Sequence, residues 1–176
     1  MTSDAPVATL SPSGIRVGGR RIRLTPHQCF ACGSLNVHGL HLELHAEADA
    51  CWTELAIPDR FQGWDGIAHG GILCTILDEV MAWALVDHDI WGLTARMQVD
   101  FRRPVPIGLP IRAEGRVVTA RRRFVTAAGK IVDPSTGTTL ATAEATYVGA
   151  TDSRKAELKR RYGYSEADTP DAGSVL

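Results

Sequence analysis

The stretch AHGGILCTILDEVMAWALV, residues 68–86, constrains this chain more than any other part of it. Its apolar residues Ile72, Leu73, Ile76, Leu77, Val80, Met81, Ala84 and Leu85 recur in the pairs that a helical repeat brings to one side, which predicts a mostly buried helix of about five turns. Asp78 and Glu79 interrupt the stretch near its middle, and a His-Gly-Gly triplet opens it. On a helical wheel Asp78 falls at one edge of the apolar stripe, where a carboxylate is partly withdrawn from water and becomes a candidate for chemistry.

The opening of the helix matters as much. Gly70 and Gly71 have no side chains to block approach. The first turn of any helix carries N–H groups without intrahelical partners at the positive end of the macrodipole, which suits a developing oxyanion. His69 and Asp78 are nine residues apart, about 13 Å of helical rise and on roughly opposite faces. If the Gly70 N–H and the Asp78 carboxylate serve one carbonyl, they have to come from two antiparallel copies of the helix. A two-fold dimer with shared sites is therefore expected. The spacing by itself equally admits a buried helix with a flexible start and a solvated acidic edge.

With 176 residues, 44% of them hydrophobic, the chain can bury one sizeable core. A formal charge of −1 argues against a general binder of nucleic acid or of membrane surfaces. The opening MTSDAPVATLSPSG has neither a basic start nor a long apolar run, so neither a signal peptide nor a transmembrane helix is expected. A cytoplasmic setting follows, with the four cysteines as thiols. Residues 1–13 are expected to be disordered, 14–150 to form one domain, and 151–176 to hold a short charged helix, SRKAELKRRY, and a flexible tail.

Alternation predicts an edge strand over Ile15–Leu24, weakened by its glycines. Leu40, Leu42 and Leu44 alternate with His41, Glu43 and His45 in a second strand, with CWTELAI, Cys51–Ile57, as its hairpin partner. After the helix, four strands are expected at about Leu93–Arg102, Ile111–Ala120, Arg123–Asp133 and Thr138–Val148, with no helical pattern between them. Such strands form an antiparallel meander. The one long apolar helix is the available cover for their apolar face, so the expected architecture is α+β, a sheet wrapped around a helix.

Cys29 and Cys32 in HQCFACG make a lone C-x2-C near His27, His38 and His41. A zinc site needs four ligands, usually two such pairs, so a structural turn with reduced thiols is expected and no metal site is assigned; a zinc clasp is the sharper alternative. His41 and His45 are expected on a solvated strand face, and His88, flanked by Asp87 and Asp89, at a solvated helix exit. Gln62, in the glycine-punctuated loop before the helix, is suited either to a ligand carbonyl or to its own loop's backbone. Between Arg96 and Lys130 there are nine cations and two acids. Such a patch suits a nucleotide diphosphate, with Arg102, Arg103, Arg121, Arg122 and Arg123 as candidates, or else arginines that simply face water.

FQGWDGIAHGGILCTILDE followed by GLTARMQVDFRRPVPIG resembles the hotdog-fold acyl-CoA thioesterases, particularly the phenylacetate-pathway and thioesterase-superfamily branch, over about Cys29–Val148. That resemblance implies a helix wrapped by an antiparallel sheet, paired two-fold as a homodimer or a dimer of dimers. It also implies hydrolysis of an acyl-CoA without any cofactor, since coenzyme A is part of the substrate. Carried over by motif position, Asp78 resembles the general base or nucleophile and Gly70 the residue whose N–H polarises the thioester carbonyl from the other chain. Gly71 falls in the same substrate-binding turn. Thr94 looks like the hydroxyl that orients water or the acid, and Gln62 like the loop amide near the carbonyl. Gln62 stands seven residues before the histidine, where some branches have six. Glu79 lies about 100° from Asp78, so only one of them enters the site, and family position favours Asp78. His69 is grouped with the site but read as structural. Rival readings are an acyl-thioester hydratase or dehydratase on the same fold, and a non-catalytic acyl-CoA binder. Trp52, Trp64, Trp83, Met81 and Met97 are candidates for an acyl pocket, or for core.

Overall fold

The structure is a computed structural model describing residues 14–17, 20–162 and 164–166. The disordered start expected for residues 1–13 and the tail beyond residue 166 lie outside the described residues. The central helix, α1 (Gly70–Trp83), is 14 residues long, and one side of it carries Leu73, Ile76, Leu77, Val80 and Met81, all buried. Each such side chain contributes about 1.5–3 kcal/mol on burial, far more than its backbone propensity, so packing rather than local preference holds this helix. It ends one turn before the apolar pattern does. Leu85 N–H turns back to the Ala82 carbonyl and His88 N–H to the Leu85 carbonyl, a tighter winding that stops at Asp89, whose φ is +51°.

Among the described residues, nine strands form one sheet around this helix: β1 (Gly14–Val17), β2 (Arg20–Leu24), β3 (Leu44–Glu47), β4 (Ala50–Ala56), β5 (Gly92–Phe101), β6 (Pro110–Arg121), β7 (Phe124–Val132), β8 (Thr139–Gly149) and β9 (Tyr164–Glu166). Their order is β5-β8-β7-β6-β4-β3-β1-β2-β9. A second helix, α2 (Asp152–Tyr162), buries none of its residues and is tied down by Lys155 and Lys159 on Asp89.

Three strand expectations change. The single N-terminal strand is two, β1 and β2, paired antiparallel, and β1 runs parallel to β3 where an all-antiparallel sheet was expected. The Leu40–Leu44 strand begins only at Leu44, because His41 has a φ of +51° that extended pairing does not allow, although burial still alternates through Leu42 and Leu44. The four late strands are not one meander. β6, β7 and β8 run consecutively, but β5 pairs with β8 at the far edge. Its connection to β6 crosses the end of the sheet and pairs with the loop before α1, Ala68 N–H bonding the Val105 carbonyl and Ile107 N–H the Gly66 carbonyl.

The contact between helix and sheet is closest at Gly115 on β6, where a Cβ would stand 2.5 Å from the backbone of Val80. Gly115→Ala is therefore expected to lower stability by about 1–3 kcal/mol, the usual cost of overpacking, read as a fall in the urea unfolding midpoint. An unchanged midpoint would show that α1 can slide off this strand freely.

Candidate active site

The chain enters α1 through His69, whose backbone is extended and whose Nδ1 accepts the Gly71 N–H at 2.9 Å. His69 is thus the helix cap, and the Gly71 amide is spent on it. The Gly70 N–H has no acceptor among the described residues. It sits under the Phe101 ring, and a Cβ on Gly70 would lie 3.3 Å from that ring. Gln62, exposed, turns its side-chain oxygen onto the Gly66 N–H at 3.1 Å, so it holds its own loop together.

Asp78 lies eight residues along the helix from Gly70, about 12 Å of rise, which keeps the two apart within one chain. Its Oδ1 accepts the Thr94 hydroxyl at 2.7 Å and the Tyr147 hydroxyl at 3.0 Å, while Oδ2 has no partner among the described residues. Thr94 on β5 is paired directly with Tyr147 on β8, so both side chains project from one face of the sheet towards the helix. The register shifts just after Thr94, a bulge that changes the facing of the strand beyond it. Burial first, and then the Asp78 charge, push the Tyr147 phenol above its usual range, which keeps it a donor.

Tyr147 is the residue that sequence reasoning missed. The available signal was a tyrosine on the inward side of the last long strand, whose hydroxyl has to find a partner when buried. Glu79, one residue on, faces the other way. Its Oε1 accepts the Trp83 indole N–H at 3.0 Å, and its Oε2 lies 3.9 Å from the Cys29 Sγ. Burial, with the nearby Cys29 charge, lifts its carboxyl to about 7. His27, Cys29 and Cys32 gather beside it, their donor atoms within 4.8 Å of one another, and they are the residues here that could hold a metal.

The arginine candidates separate into two groups. Arg102 and Arg103 follow β5 and donate their backbone N–H groups to the Leu140 carbonyl at one end of β8. Arg121–Arg123 form the β6–β7 turn at the other end, where Arg123 Nε donates to the Gly149 carbonyl. Leu140 and Gly149 are nine steps apart on β8, about 30 Å. Of the other histidines, His45 stacks on Trp52 with ring centroids 3.9 Å apart, and His88 pairs with Asp49 at 2.7 Å, so neither is simply solvated. The Asp87 side chain lies outside the described residues. Met81 is core, whereas Trp64 is 83% exposed. A concavity of about 640 Å³ on the sheet face turned away from α1, lined by residues such as Trp52, Arg112 and Lys130, includes neither Asp78 nor Gly70.

Residues 65–140 match the family profile described as the Thioesterase superfamily. No curated protein matches the chain. Among solved structures, a thioesterase superfamily protein aligns at 24% identity and a TM-score of 0.64 over 69% of this chain and 60% of its own, so this chain spans about three fifths of that relative. The Escherichia coli PaaI protein of the phenylacetic acid degradation operon aligns at 17% identity and a TM-score of 0.55, over 58% of this chain and 74% of its own. A hypothetical thioesterase protein from Streptococcus pneumoniae, solved with coenzyme A, aligns at 17% identity and a TM-score of 0.55, over 58% and 79%. In two further structures that Streptococcus protein carries alanine in place of a threonine and of an aspartate sixteen positions before it, the separation of Asp78 from Thr94 here. This chain has the hotdog fold, and its residues 65–140 match the thioesterase superfamily profile.

Proposed function

We propose that the protein hydrolyses acyl-CoA thioesters at sites shared between two copies of the chain. One observation carries this reading: Asp78 is clamped on a single oxygen by Thr94 and Tyr147 and keeps its other oxygen open, on a helix whose first amide, Gly70, is also unspent. A carboxylate held in that way can act as a general base, and a bare helix-start amide can stabilise an oxyanion. The match to the thioesterase superfamily profile supports the thioester class, and the solved neighbour holding coenzyme A supports the acyl-CoA form of it.

In this reading the thioester oxygen rests on the Gly70 N–H of one chain, and Asp78 Oδ2 of the partner subunit takes a proton from water as its oxygen attacks the carbonyl carbon. The carbon–sulfur bond then breaks and coenzyme A leaves as the thiol. Direct attack by Asp78, giving a mixed anhydride that water opens, uses the same geometry. The uncovered β5 edge supports a second copy here, since it leaves Leu93 80% and Phe101 54% exposed. A two-fold that brings Gly70 to the partner's Asp78 also unites the divided arginines: Arg102 and Arg103 lie at the Gly70 end of a chain, Arg121–Arg123 at its Asp78 end. Together they would flank the coenzyme A diphosphate. A cytoplasmic setting, with coenzyme A esters at hand and the cysteines reduced, belongs to the same proposal.

Asp78→Asn should lower acyl-CoA hydrolysis by about 10²–10⁴-fold with an unchanged fold, measured across short, long and aromatic acyl groups; near-normal turnover removes Asp78 from this role. Tyr147→Phe keeps the packing and deletes one donor, so it should cost about 0.5–1.5 kcal/mol in urea unfolding and a smaller loss of rate. Proline is tolerated at the first position of a helix and has no N–H. Mixing Gly70→Pro chains with Asp78→Asn chains should therefore restore roughly a quarter of the activity in hybrid dimers. If hybrids form and remain inactive, the site is not shared.

A further inference from the structure

The border of the α1 apolar stripe that carries Glu79 holds a second cluster that the hydrolytic reading does not use. His27 Nε2 lies 3.4 Å from the Cys32 Sγ, the His27, Cys29 and Cys32 donor atoms are mutually within 4.8 Å, and Glu79 Oε2 is 3.9 Å from the Cys29 Sγ. A tetrahedral ion with bonds of about 2.0–2.3 Å to nitrogen, oxygen and sulfur sets its ligand atoms about 3.4–3.8 Å apart, a spacing that the His27–Cys32 pair meets at 3.4 Å and the Cys29–Glu79 pair approaches at 3.9 Å. We propose that His27, Cys29, Cys32 and Glu79 bind one zinc-type divalent cation. The site is a closed one that fastens the segment before β3 to the middle of α1.

The surroundings of each ligand support this. His27 Nδ1 lies 2.9 Å from the Thr25 carbonyl, so it carries the proton and Nε2 presents its lone pair to the sulfurs. Glu79 is oriented in the same manner, its Oε1 being fixed by Trp83 and its Oε2 left facing the cluster. The turn is closed by the Gly33 N–H on the Cys29 carbonyl at 2.9 Å, and a Cβ at Gly33 would stand 2.4–2.5 Å from the backbone of Cys29 and His27. Only glycine fits there, and its absent side chain is what allows the two sulfurs to face one way.

Charge points in the same direction. Two cysteine sulfurs and a carboxylate meet a single imidazole, and no Lys or Arg pairs with Glu79 among the described residues. A buried acid without a cation is costly, and a dication offsets that cost. Thiolate and imidazole donors select zinc-type metals over magnesium or calcium. Four protein ligands leave no open position, so the ion acts as a clasp. No regular strand runs from residue 25 to residue 43, and the clasp would order that segment.

The test uses the full chain and reads no enzymatic activity. Protein produced in zinc-supplemented medium and purified without chelators should contain about one zinc per chain by mass spectrometry. Cobalt(II) added to the metal-free wild-type chain should give thiolate charge-transfer and tetrahedral ligand-field bands. His27→Ala and Glu79→Gln should each weaken zinc binding at least about tenfold, and Cys29→Ser should abolish the charge-transfer bands. Should Cys29→Ser not fold, the wild-type cobalt spectrum is decisive by itself. Less than about a tenth of an ion per chain after incubation with zinc, a cobalt spectrum without thiolate bands, or a Cys29–Cys32 disulfide trapped from fresh lysate would each overturn the proposal.

Discussion

Everything in this fold depends on how closely α1 can lie on the sheet. Gly115 brings the backbone of β6 against the backbone of Val80, and Gly129 lets Leu77 and Met81 settle over β7. Side chains at those two positions would lift the helix, and the apolar stripe from Leu73 to Met81 would lose the contacts that hold it. The depth and rotation of the helix are fixed there, and with them the direction of every polar group it carries.

That rotation gives two neighbouring acids different chemistry. Consecutive helical residues point about 100° apart, so a helix buried on one stripe sends Asp78 to one border of the core and Glu79 to the other. Asp78 meets the hydroxyls of Thr94 and Tyr147 from paired strands, and one of its oxygens stays open. Glu79 meets an indole and the Cys29 sulfur. One border suits work on a substrate and the other suits holding the molecule together. A shift of a few tens of degrees would degrade both.

The start of the helix and its middle are separated by the length of the helix itself, and the arginines divide along the same axis. Arg102 and Arg103 lie beside the Phe101 ring that covers Gly70, while Arg121–Arg123 lie beyond Tyr147, on the Asp78 side. In the proposed reading a single chain therefore presents two incomplete halves of one arrangement. Its β5 edge, with Leu93 and Phe101 exposed, supports the proposal that a second copy completes them.

The sequence by itself determined the central helix and the late strands, and it named candidates for the site. Apolar spacing marked α1, alternation marked the late strands to within a residue or two, and the motif around His69, Gly70 and Asp78 carried the family resemblance. These are local signals, each set by a period of 3.6 or 2 residues or by a backbone group at a helix end. Only the tertiary structure decided that β5 pairs with β8, that Tyr147 completes the Asp78 clamp, and that His69 takes the Gly71 amide. It also gathered His27 with Cys29 and Cys32 and set Glu79 beside Cys29, giving the lone C-x2-C the neighbours that its sequence did not show. Those outcomes join residues some fifty to seventy positions apart, or turn on one side-chain rotamer. No periodicity encodes such contacts, because the rest of the packed chain selects them.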